Sequence, residues 1–310
     1  MSLISVILPV FNEEELIAST HVRMCTALAP LEQNGDAFEL IYVNDGSSDN
    51  SPQILADIAA NDHRAKVLTF SRNFGQQIAV TAGIDYADGD AVAVIDADMQ
   101  DPPEVILEMV AKWREGYEVI YGKRRERDGE SFFKKFTSAS YYRTLNAITT
   151  IDFPVDTGDF RLMDRKVVLA MRAIPEHNRY VRGLISWVGF KQTAVEFHRE
   201  ARMAGETKYP LKKMVKLAMD GILSFSFTPL RFILSLGVWF IIIAILGTIA
   251  ALVWVDQLGD MAFYSSLTLI SLFFSGIILC AMGILGEYIA RIMDESRARP
   301  LYIVKEKLGF

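Results

Sequence analysis

Residues 91–98 read Ala-Val-Ala-Val-Ile-Asp-Ala-Asp, five apolar residues followed at once by two carboxylates one residue apart. The apolar part has the length of one strand and is hydrophobic on both faces. A strand buried on both faces belongs to a parallel sheet that is covered by helices on each side. The stretch therefore predicts an α/β fold in which Asp96 and Asp98 follow the carboxyl end of a strand.

The same alternation of strand and helix signals extends across the first 122 residues. Further strands are predicted at 3–8, 38–43, 66–70 and 118–121, and helices at 13–29, 51–60, 76–86 and 103–114. Short apolar strands that alternate with helices indicate a Rossmann-like parallel sheet. Ligands bind such sheets beyond the carboxyl ends of the strands, so polar residues at those ends are the candidate site residues.

Two long uncharged apolar runs lie near the end of the chain, at 232–255 and 261–286. Each is long enough to cross a hydrocarbon core of about 30 Å. Hydrophobic residues make up 51% of the chain, and the two runs explain why this share is high for a soluble protein. The connection at 256–260 contains no Lys or Arg, whereas basic residues precede the first run and follow the second. The positive-inside rule then predicts a multi-pass protein of the inner (plasma) membrane with both termini cytoplasmic.

These patterns divide the chain into four parts. We expect a cytoplasmic catalytic domain at 1–208, an amphipathic helix at 209–230, two transmembrane helices at 231–290 and a cytoplasmic tail at 291–310. A lysine-rich amphipathic helix beside a span favours a place in the membrane interface, and an ordinary helix that faces the core is the alternative. The net charge of −6 argues against a general nucleic-acid-binding protein.

The Asp-x-Asp pattern indicates a site for a divalent cation. Two carboxylates just past a strand can converge on one ion, and Gln100 offers a neutral oxygen two residues further on. Hard oxygen ligands suit Mg²⁺ or Mn²⁺, which commonly bind one or two carboxylates together with substrate phosphates. Asp96, Asp98 and Gln100 are therefore the predicted metal ligands.

Two more polar loops follow predicted strands. The loop at 45–49 reads Asp-Gly-Ser-Ser-Asp and is either a turn with a helix cap or a contact of Asp45 with a nucleotide base or ribose. The loop at 9–13 reads Pro-Val-Phe-Asn-Glu, in which Asn12 is either a helix cap or part of a site. Three polar loops at three strand ends together favour a binding site.

These motifs resemble those of the family 2 glycosyltransferases of the GT-A type. The resemblance rests on 9–13, 44–49 and 96–98, and the stretches 96–103, 157–162 and 202–209 narrow it to the polyprenyl-phosphate branch. That branch includes bactoprenol glucosyltransferases and dolichyl-phosphate mannose synthases. The two apolar runs fit the bactoprenol group better than the soluble relatives.

The resemblance implies roles for individual residues. Those expected to hold the nucleotide are Pro9, Phe11, Glu13, Val43, Asp45, Asp96 and Ala97. Those expected to meet a phosphate of the donor or of the lipid acceptor are Arg202, Lys208, Arg124, Arg125 and Arg127, and the last three could equally be a solvated basic run. Asp159 is expected near the sugar, and Asp98, Asp159 and Arg202 are the expected catalytic residues.

The implied reaction is the inverting transfer of one sugar from a nucleotide sugar to a polyprenyl phosphate. UDP-glucose and undecaprenyl phosphate are the favoured pair, with Mg²⁺ or Mn²⁺ as cofactor, and a homo-oligomer is compatible with the sequence. The same fold could use mannose, a modified arabinose or another lipid acceptor. A small transporter or lipid flippase is the alternative hypothesis from a different functional class. Two apolar runs without an intramembrane charge make a poor transport path, which argues against it.

Overall fold

The computed structural model describes residues 1–124, 157–177, 179–198, 233, 235–240, 242, 243, 246 and 260–310. Within these residues the chain forms a single mixed sheet with helices on both faces. The strands are β1 Leu3–Val10, β2 Ala37–Asn44, β3 Ala65–Phe70, β4 Ala91–Val94, β5 Val119–Arg124, β6 Thr157–Asp164, β7 Gln192–Phe197 and β8 Val304–Leu308. The helices are α1 Ile17–Gln33, α2 Ser51–Asn61, α3 Gln76–Tyr86, α4 Val105–Arg114, α5 Arg165–Ala173, α6 Val181–Trp187 and α7 Asp260–Arg297.

The sheet has the strand order β7-β5-β6-β4-β1-β2-β3-β8. The pairs β1–β2, β1–β4, β2–β3 and β5–β7 are parallel, as the sequence predicts. The prediction of a wholly parallel sheet is wrong, because β6 runs antiparallel to β4 and β5, and β8 runs antiparallel to β3. Lys123 near the end of β5 pairs with Thr157 at the start of β6. The chain thus leaves β5 and enters β6 at the same end of the sheet, so β6 runs antiparallel to β5.

The core lies in two layers, one on each face of the sheet. Along β1, the side chains of Ile4, Val6 and Leu8 pack against α1, α2 and α4, whereas Ile7 packs against the layer that contains α3, α5 and α6. Each of these four side chains is fully buried. Burial of an aliphatic side chain of this size stabilises the fold by about 1.5–3 kcal/mol, which holds the strand ends firmly in place.

Among the described residues, α7 is the longest element, and it leads back to the sheet. Its 38 residues extend about 57 Å at about 1.5 Å per residue, well beyond a hydrocarbon core of about 30 Å. Within the described residues, one stretch, Phe273–Arg297, is long and apolar enough to cross a membrane, and its most apolar part is not buried in the protein. After it, Tyr302 stacks on Phe70 with ring centroids 5.2 Å apart, and β8 joins β3.

The first apolar run lies mostly outside the described residues. Those of its residues that are described, namely 233, 235–240, 242, 243 and 246, are helical. The amphipathic helix expected at 209–230 also lies outside the described residues. The arrangement of two spans preceded by an interfacial helix therefore stays a prediction.

Candidate active site

The antiparallel pairing of β4 with β6 brings two sequence motifs together. Val94 pairs with Arg161, so Asp96, two residues beyond Val94, lies opposite Asp159, two residues before Arg161. Asp96 belongs to the Asp-x-Asp motif and Asp159 to a segment 63 residues further along. The Gln76 side chain at the start of α3 donates a hydrogen bond of 2.8 Å from Nε2 to Oδ1 of Asp96.

Asp159 is a buried carboxylate with a cationic partner. It is 6% exposed. Arg182 donates to both of its oxygens, from Nε to Oδ1 at 2.7 Å and from Nη2 to Oδ2 at 3.1 Å. Arg161 donates from Nε to the main-chain carbonyl of Asp159 at 3.3 Å and from Nη2 to that of Gly158 at 2.7 Å. The site therefore holds Asp159 by side chain and main chain at once.

The two facing carboxyl groups have opposite pKa shifts. Burial raises the pKa of Asp96, and the negative charges of Asp159, Asp101 and Asp98 raise it further. Burial also raises the pKa of Asp159, but the charge and hydrogen bonds of Arg182, assisted by Arg161, outweigh burial and hold that pKa below its usual range. An excess of negative charge thus remains around Asp96, which is the condition under which a divalent cation binds favourably.

The Asp45 carboxylate is bound by the loop that precedes α3. The backbone N–H of Phe74 donates to Oδ1 at 2.6 Å and that of Gly75 to Oδ2 at 2.9 Å. The side-chain amide of Asn73 also donates to Oδ2, at 2.9 Å. Gly46 has φ +67°, and a Cβ there would come within 2.4 Å of the carbonyl carbon of Arg72. Asp45 therefore orders this loop, and its contact with a nucleotide stays a prediction.

The loops after β1 and β2 interlock. Asn12 has φ +54°. It donates from its backbone N–H to Oγ of Ser47 at 3.0 Å and accepts at Oδ1 from the N–H of Ser48 at 2.8 Å. Helix α1 begins only at Ile17, after Leu16, so the alternative that Asn12 caps this helix is wrong. The Asn12 side chain serves the neighbouring loop, because a left-handed backbone at this position turns it away from the helix.

The other expected nucleotide residues lie around these loops. Pro9 pairs with Val43 across β1 and β2, one residue before each strand ends. Phe11 is 39% exposed, which is high for a side chain of its size. The carbonyl of Glu13 accepts from the N–H of Ile17 at 3.0 Å. All four residues therefore lie near the carboxyl edge of the sheet, as the motifs predict.

The rest of the Asp-x-Asp loop is compact. Oδ1 of Asp98 accepts from the N–H of Gln100 at 3.1 Å, and Thr20 on α1 donates from Oγ1 to the carbonyl of Ala97 at 3.2 Å. Asp101 is 1% exposed and lies 3.8 Å from the guanidinium of Arg124. Arg124 therefore lies beside the Asp-x-Asp loop, and its role in phosphate binding stays a prediction.

Sequence reasoning missed the segment Asn73–Gln77, which contacts the three carboxylates of Asp45, Asp96 and Asp159. Asn73, Phe74 and Gly75 bind Asp45, Gln76 binds Asp96, and Gln77 approaches Asp159, from Nε2 to Oδ2 at 3.4 Å. Its signal was available, since the segment follows a strand just as the three recognised loops do. Arg182 and Asp101 were also missed, and they become recognisable only when the strands are paired.

The comparisons with known proteins show the family. The model of the family "Glycosyl transferase family 2" matches residues 5–171, which contain every acidic residue discussed above. The chain belongs to glycosyl transferase family 2.

Individual relatives match nearly the whole chain. The chain is 53% identical to "Uncharacterized glycosyltransferase YkcC" of Bacillus subtilis, over 98% of this chain and 94% of the relative. It is 43% identical to "Uncharacterized glycosyltransferase sll0501" of Synechocystis, over 99% of this chain and 96% of the relative. It is 40% identical to "Bactoprenol glucosyl transferase" of Shigella phage SfV, over 98% of both chains.

Four expected phosphate-binding residues of this glycosyltransferase, Arg125, Arg127, Arg202 and Lys208, lie outside the described residues. Their roles stay predictions. Arg124 is the described member of the expected set, and its position beside Asp101 is compatible with a phosphate contact at the rim of the site.

A second group of potential ligands lies on α1 and after α2 of the glycosyltransferase. His21, Cys25 and Asp62 offer atoms within 4.8 Å of one another. Arg64 already donates to Asp62, from Nη2 to Oδ2 at 2.8 Å, and Nδ1 of His21 is 2.9 Å from the hydroxyl of Tyr42. The group is therefore a hydrogen-bonded network in which Arg64 compensates the negative charge of Asp62.

Proposed function

We propose that this glycosyltransferase transfers one glucose from UDP-glucose to undecaprenyl phosphate at the cytoplasmic face of the membrane, with inversion at the anomeric carbon. The observation that supports the proposal is the pairing of β4 with β6, which sets Asp96 opposite the buried Asp159 at the carboxyl edge of the sheet. This arrangement suits a nucleotide sugar, in which a diphosphate for a cation at Asp96 is joined directly to a sugar that can lie at Asp159.

The acceptor is inferred from the relatives and from α7. A "Bactoprenol glucosyl transferase" is 40% identical over nearly the whole chain. The apolar stretch Phe273–Arg297 provides a means of keeping the site at a membrane. The return of the chain to the sheet through β8 ties that stretch to the catalytic domain, and a lipid phosphate is the acceptor that such an arrangement favours.

The diphosphate would be bound through a divalent cation held by Asp96, Asp98 and Gln100. These residues fit Mg²⁺ or Mn²⁺, because all three offer oxygen ligands and the negative charges of Asp159, Asp101 and Asp98 raise the pKa of Asp96. When bound, the cation stabilises the negative charge that develops on the leaving nucleoside diphosphate. Arg124, and Arg202 and Lys208 from outside the described residues, would supply further positive charge to phosphates.

Asp159 is assigned to the sugar rather than to proton transfer. Its pKa is held low by Arg182, so it is a weak base at neutral pH. A lipid phosphate has a second pKa of about 6 and is already largely dianionic at neutral pH, so it can attack without a general base. The carboxylate of Asp159 is then suited to accept hydrogen bonds from hydroxyl groups of the transferred sugar.

The test is a transfer assay with the full-length protein purified in detergent. Radiolabelled UDP-glucose and undecaprenyl phosphate are expected to yield a glucosylated lipid in the presence of Mg²⁺ or Mn²⁺, and Asp98→Ala serves as the inactive control. The product should carry glucose in the configuration opposite to that of the donor. Parallel reactions with GDP-mannose, UDP-activated modified arabinose and diacylglycerol compare the alternative donors and acceptor.

Two outcomes would overturn this assignment. A clear preference for another sugar or for diacylglycerol would reject the proposed substrates while keeping the family. Absence of transfer to any lipid, combined with lipid movement across vesicle membranes, would favour the flippase alternative.

A further inference from the structure

Two side chains outside the recognised motifs hold the Asp159 carboxylate. Arg182 from α6 binds both oxygens. Gln77 from α3 donates from Nε2 to Oδ2 at 3.4 Å, and its Oε1 accepts from the N–H of Val181 at 3.1 Å. One glutamine thus joins the first turn of α6 to the carboxylate, and the same helix supplies the arginine that binds it.

The two hydrogen bonds between Arg182 and Asp159 fix the relative orientation of the guanidinium and the carboxylate as well as the distance between them. A guanidinium that binds a carboxylate through two parallel N–H groups restricts rotation of both groups, which a lysine ammonium cannot do. The Arg182 side chain is 26% exposed and the Asp159 side chain is 6% exposed, so solvent competes weakly for this contact. Two helices, α3 and α6, therefore supply the contacts that hold the Asp159 carboxylate in one orientation.

That orientation matters because Asp159 faces Asp96. The register of β4 and β6 places the two residues opposite each other, and the charge of each affects the other. The charge of Arg182 also reaches Asp96 and lowers its pKa. Arg182 therefore influences both the sugar side and the cation side of the site without belonging to either ligand set.

We propose that Gln77 and Arg182 are positioning residues for glycosyl transfer, which hold the Asp159 carboxylate towards the transferred sugar and limit the negative charge that the divalent cation meets. This inference rests on the proposed function, since it requires a sugar beside Asp159 and a cation at Asp96. It assigns roles to two residues that make no direct contact with the reacting atoms.

The proposal predicts that loss of Arg182 changes two properties in opposite directions. Transfer should slow, because a misplaced carboxylate no longer orients the sugar. Binding of Mn²⁺ should become tighter, because removing a positive charge leaves the carboxylates around Asp96 less compensated. A role for Arg182 in folding alone would weaken both properties together, so the two roles are distinguishable.

The experiment uses the full-length protein in detergent and four variants. Arg182→Gln removes the positive charge. Arg182→Lys keeps the charge but loses the two parallel N–H donors of the guanidinium. Gln77→Ala removes the hydrogen bond from Gln77 to Asp159. Arg172→Gln is the matched control, since Arg172 lies outside the site and donates to the backbone carbonyls of Ile84 at 2.9 Å and Ala87 at 2.6 Å. Measurements are kcat and KM for transfer, the Kd of Mn²⁺ by calorimetry, and Tm.

We expect kcat to fall about 100-fold in Arg182→Gln, as for a misplaced reacting group, with KM for both substrates near the wild-type value. Arg182→Lys should recover the wild-type Kd of Mn²⁺ but little of kcat. Gln77→Ala should lose about tenfold in kcat, as expected for one hydrogen bond. Arg172→Gln should lower Tm at least as much as Arg182→Gln does while keeping kcat.

A kcat near wild type in both Arg182→Gln and Gln77→Ala would overturn the proposal. So would weaker Mn²⁺ binding in Arg182→Gln, or a loss of kcat in Arg172→Gln equal to that in Arg182→Gln. If wild type fails to transfer sugar to lipid but Arg182→Gln still binds Mn²⁺ more tightly, the proposed function fails while the effect of Arg182 on the cation site stands.

Discussion

Asp96 lies opposite Asp159 because Val94 and Arg161 pair across the antiparallel strands β4 and β6. Two carboxylates so placed repel each other, and Arg182 compensates Asp159 directly and Asp96 only weakly. The pKa of Asp159 is therefore held low, whereas burial and the neighbouring acidic groups raise that of Asp96. The antiparallel strand β6 thus brings into the site the carboxylate that faces Asp96.

The first prediction concerns the cation. Asp98→Ala should abolish or strongly reduce transfer with little change in Tm, and Gln100→Ala should do so less severely, because both side chains contribute to cation binding rather than to the apolar core. EDTA should silence the wild-type protein and added Mg²⁺ or Mn²⁺ should restore it. Asp57→Ala, on the exposed part of α2, is the control. Full transfer in EDTA would refute the metal role.

The second prediction concerns Asp45. Asp45→Asn replaces one acceptor oxygen with an N–H₂ group that faces the donors of Asn73, Phe74 and Gly75. Leaving buried donors unpaired costs about 1–3 kcal/mol, so the free energy of unfolding should fall by that amount. Denaturant unfolding in detergent measures it. Asp57→Asn should change stability by less than about 0.5 kcal/mol, and equal stability of the two variants would contradict the assigned role.

The third prediction concerns pH and the end of α7. Hydrogen bonds from the His177 ring to Glu295 and to the carbonyl of Arg299 raise the pKa of His177 above 6.5. A raised pKa of a histidine in the folded state stabilises the fold fully below about 6.5, and this contribution is lost as pH rises through the folded-state value.

The free energies of unfolding of the wild type and of His177→Gln should therefore differ most below about pH 6.5, and the difference should shrink as the pH rises through the raised pKa of His177. His63→Gln provides the control for removing a histidine elsewhere. A constant difference in stability across this pH range would show that the ion pair with Glu295 contributes nothing that titrates.

The fourth prediction concerns topology. Strand β8 pairs with β3 in the catalytic sheet, so the C-terminus must lie on the same side of the membrane as the active site. A reporter fused after Phe310 should be cytoplasmic, and one inserted at Gln257 should be external. Protease protection or a phosphatase reporter distinguishes the two locations. An external reporter at Phe310 would refute the pairing of β8 with the catalytic sheet in the membrane-bound protein.

Several elements could be predicted from local sequence alone. Helix α3 begins and ends where its pattern indicates, at Gln76 and Tyr86, and each of the first five strands lies within a few residues of its apolar run. The position of the Asp-x-Asp motif at a strand end was also predictable. The apolar period and the polar residues that follow each run are properties of neighbouring residues, so they require no knowledge of the rest of the chain.

The start of α1 was less predictable. The acidic residues at 13–15 suggested the first turn of α1, yet the helix begins at Ile17 because residues 12–14 are bound by the loop after β2. Those bonds join residues about 36 positions apart. A local pattern cannot show that a backbone N–H is already used by a distant side chain.

The sequence by itself determined the α/β class, the acidic residues at the strand ends and the apolar character of the C-terminal part. Only the tertiary structure decided that β6 and β8 run antiparallel, that Asp96 faces Asp159, and that Gln77 and Arg182 hold Asp159. The physical reason is the range of the interactions. Strand propensity and hydrophobic period act over a few residues, whereas strand direction and register depend on pairing between segments that are distant in the chain.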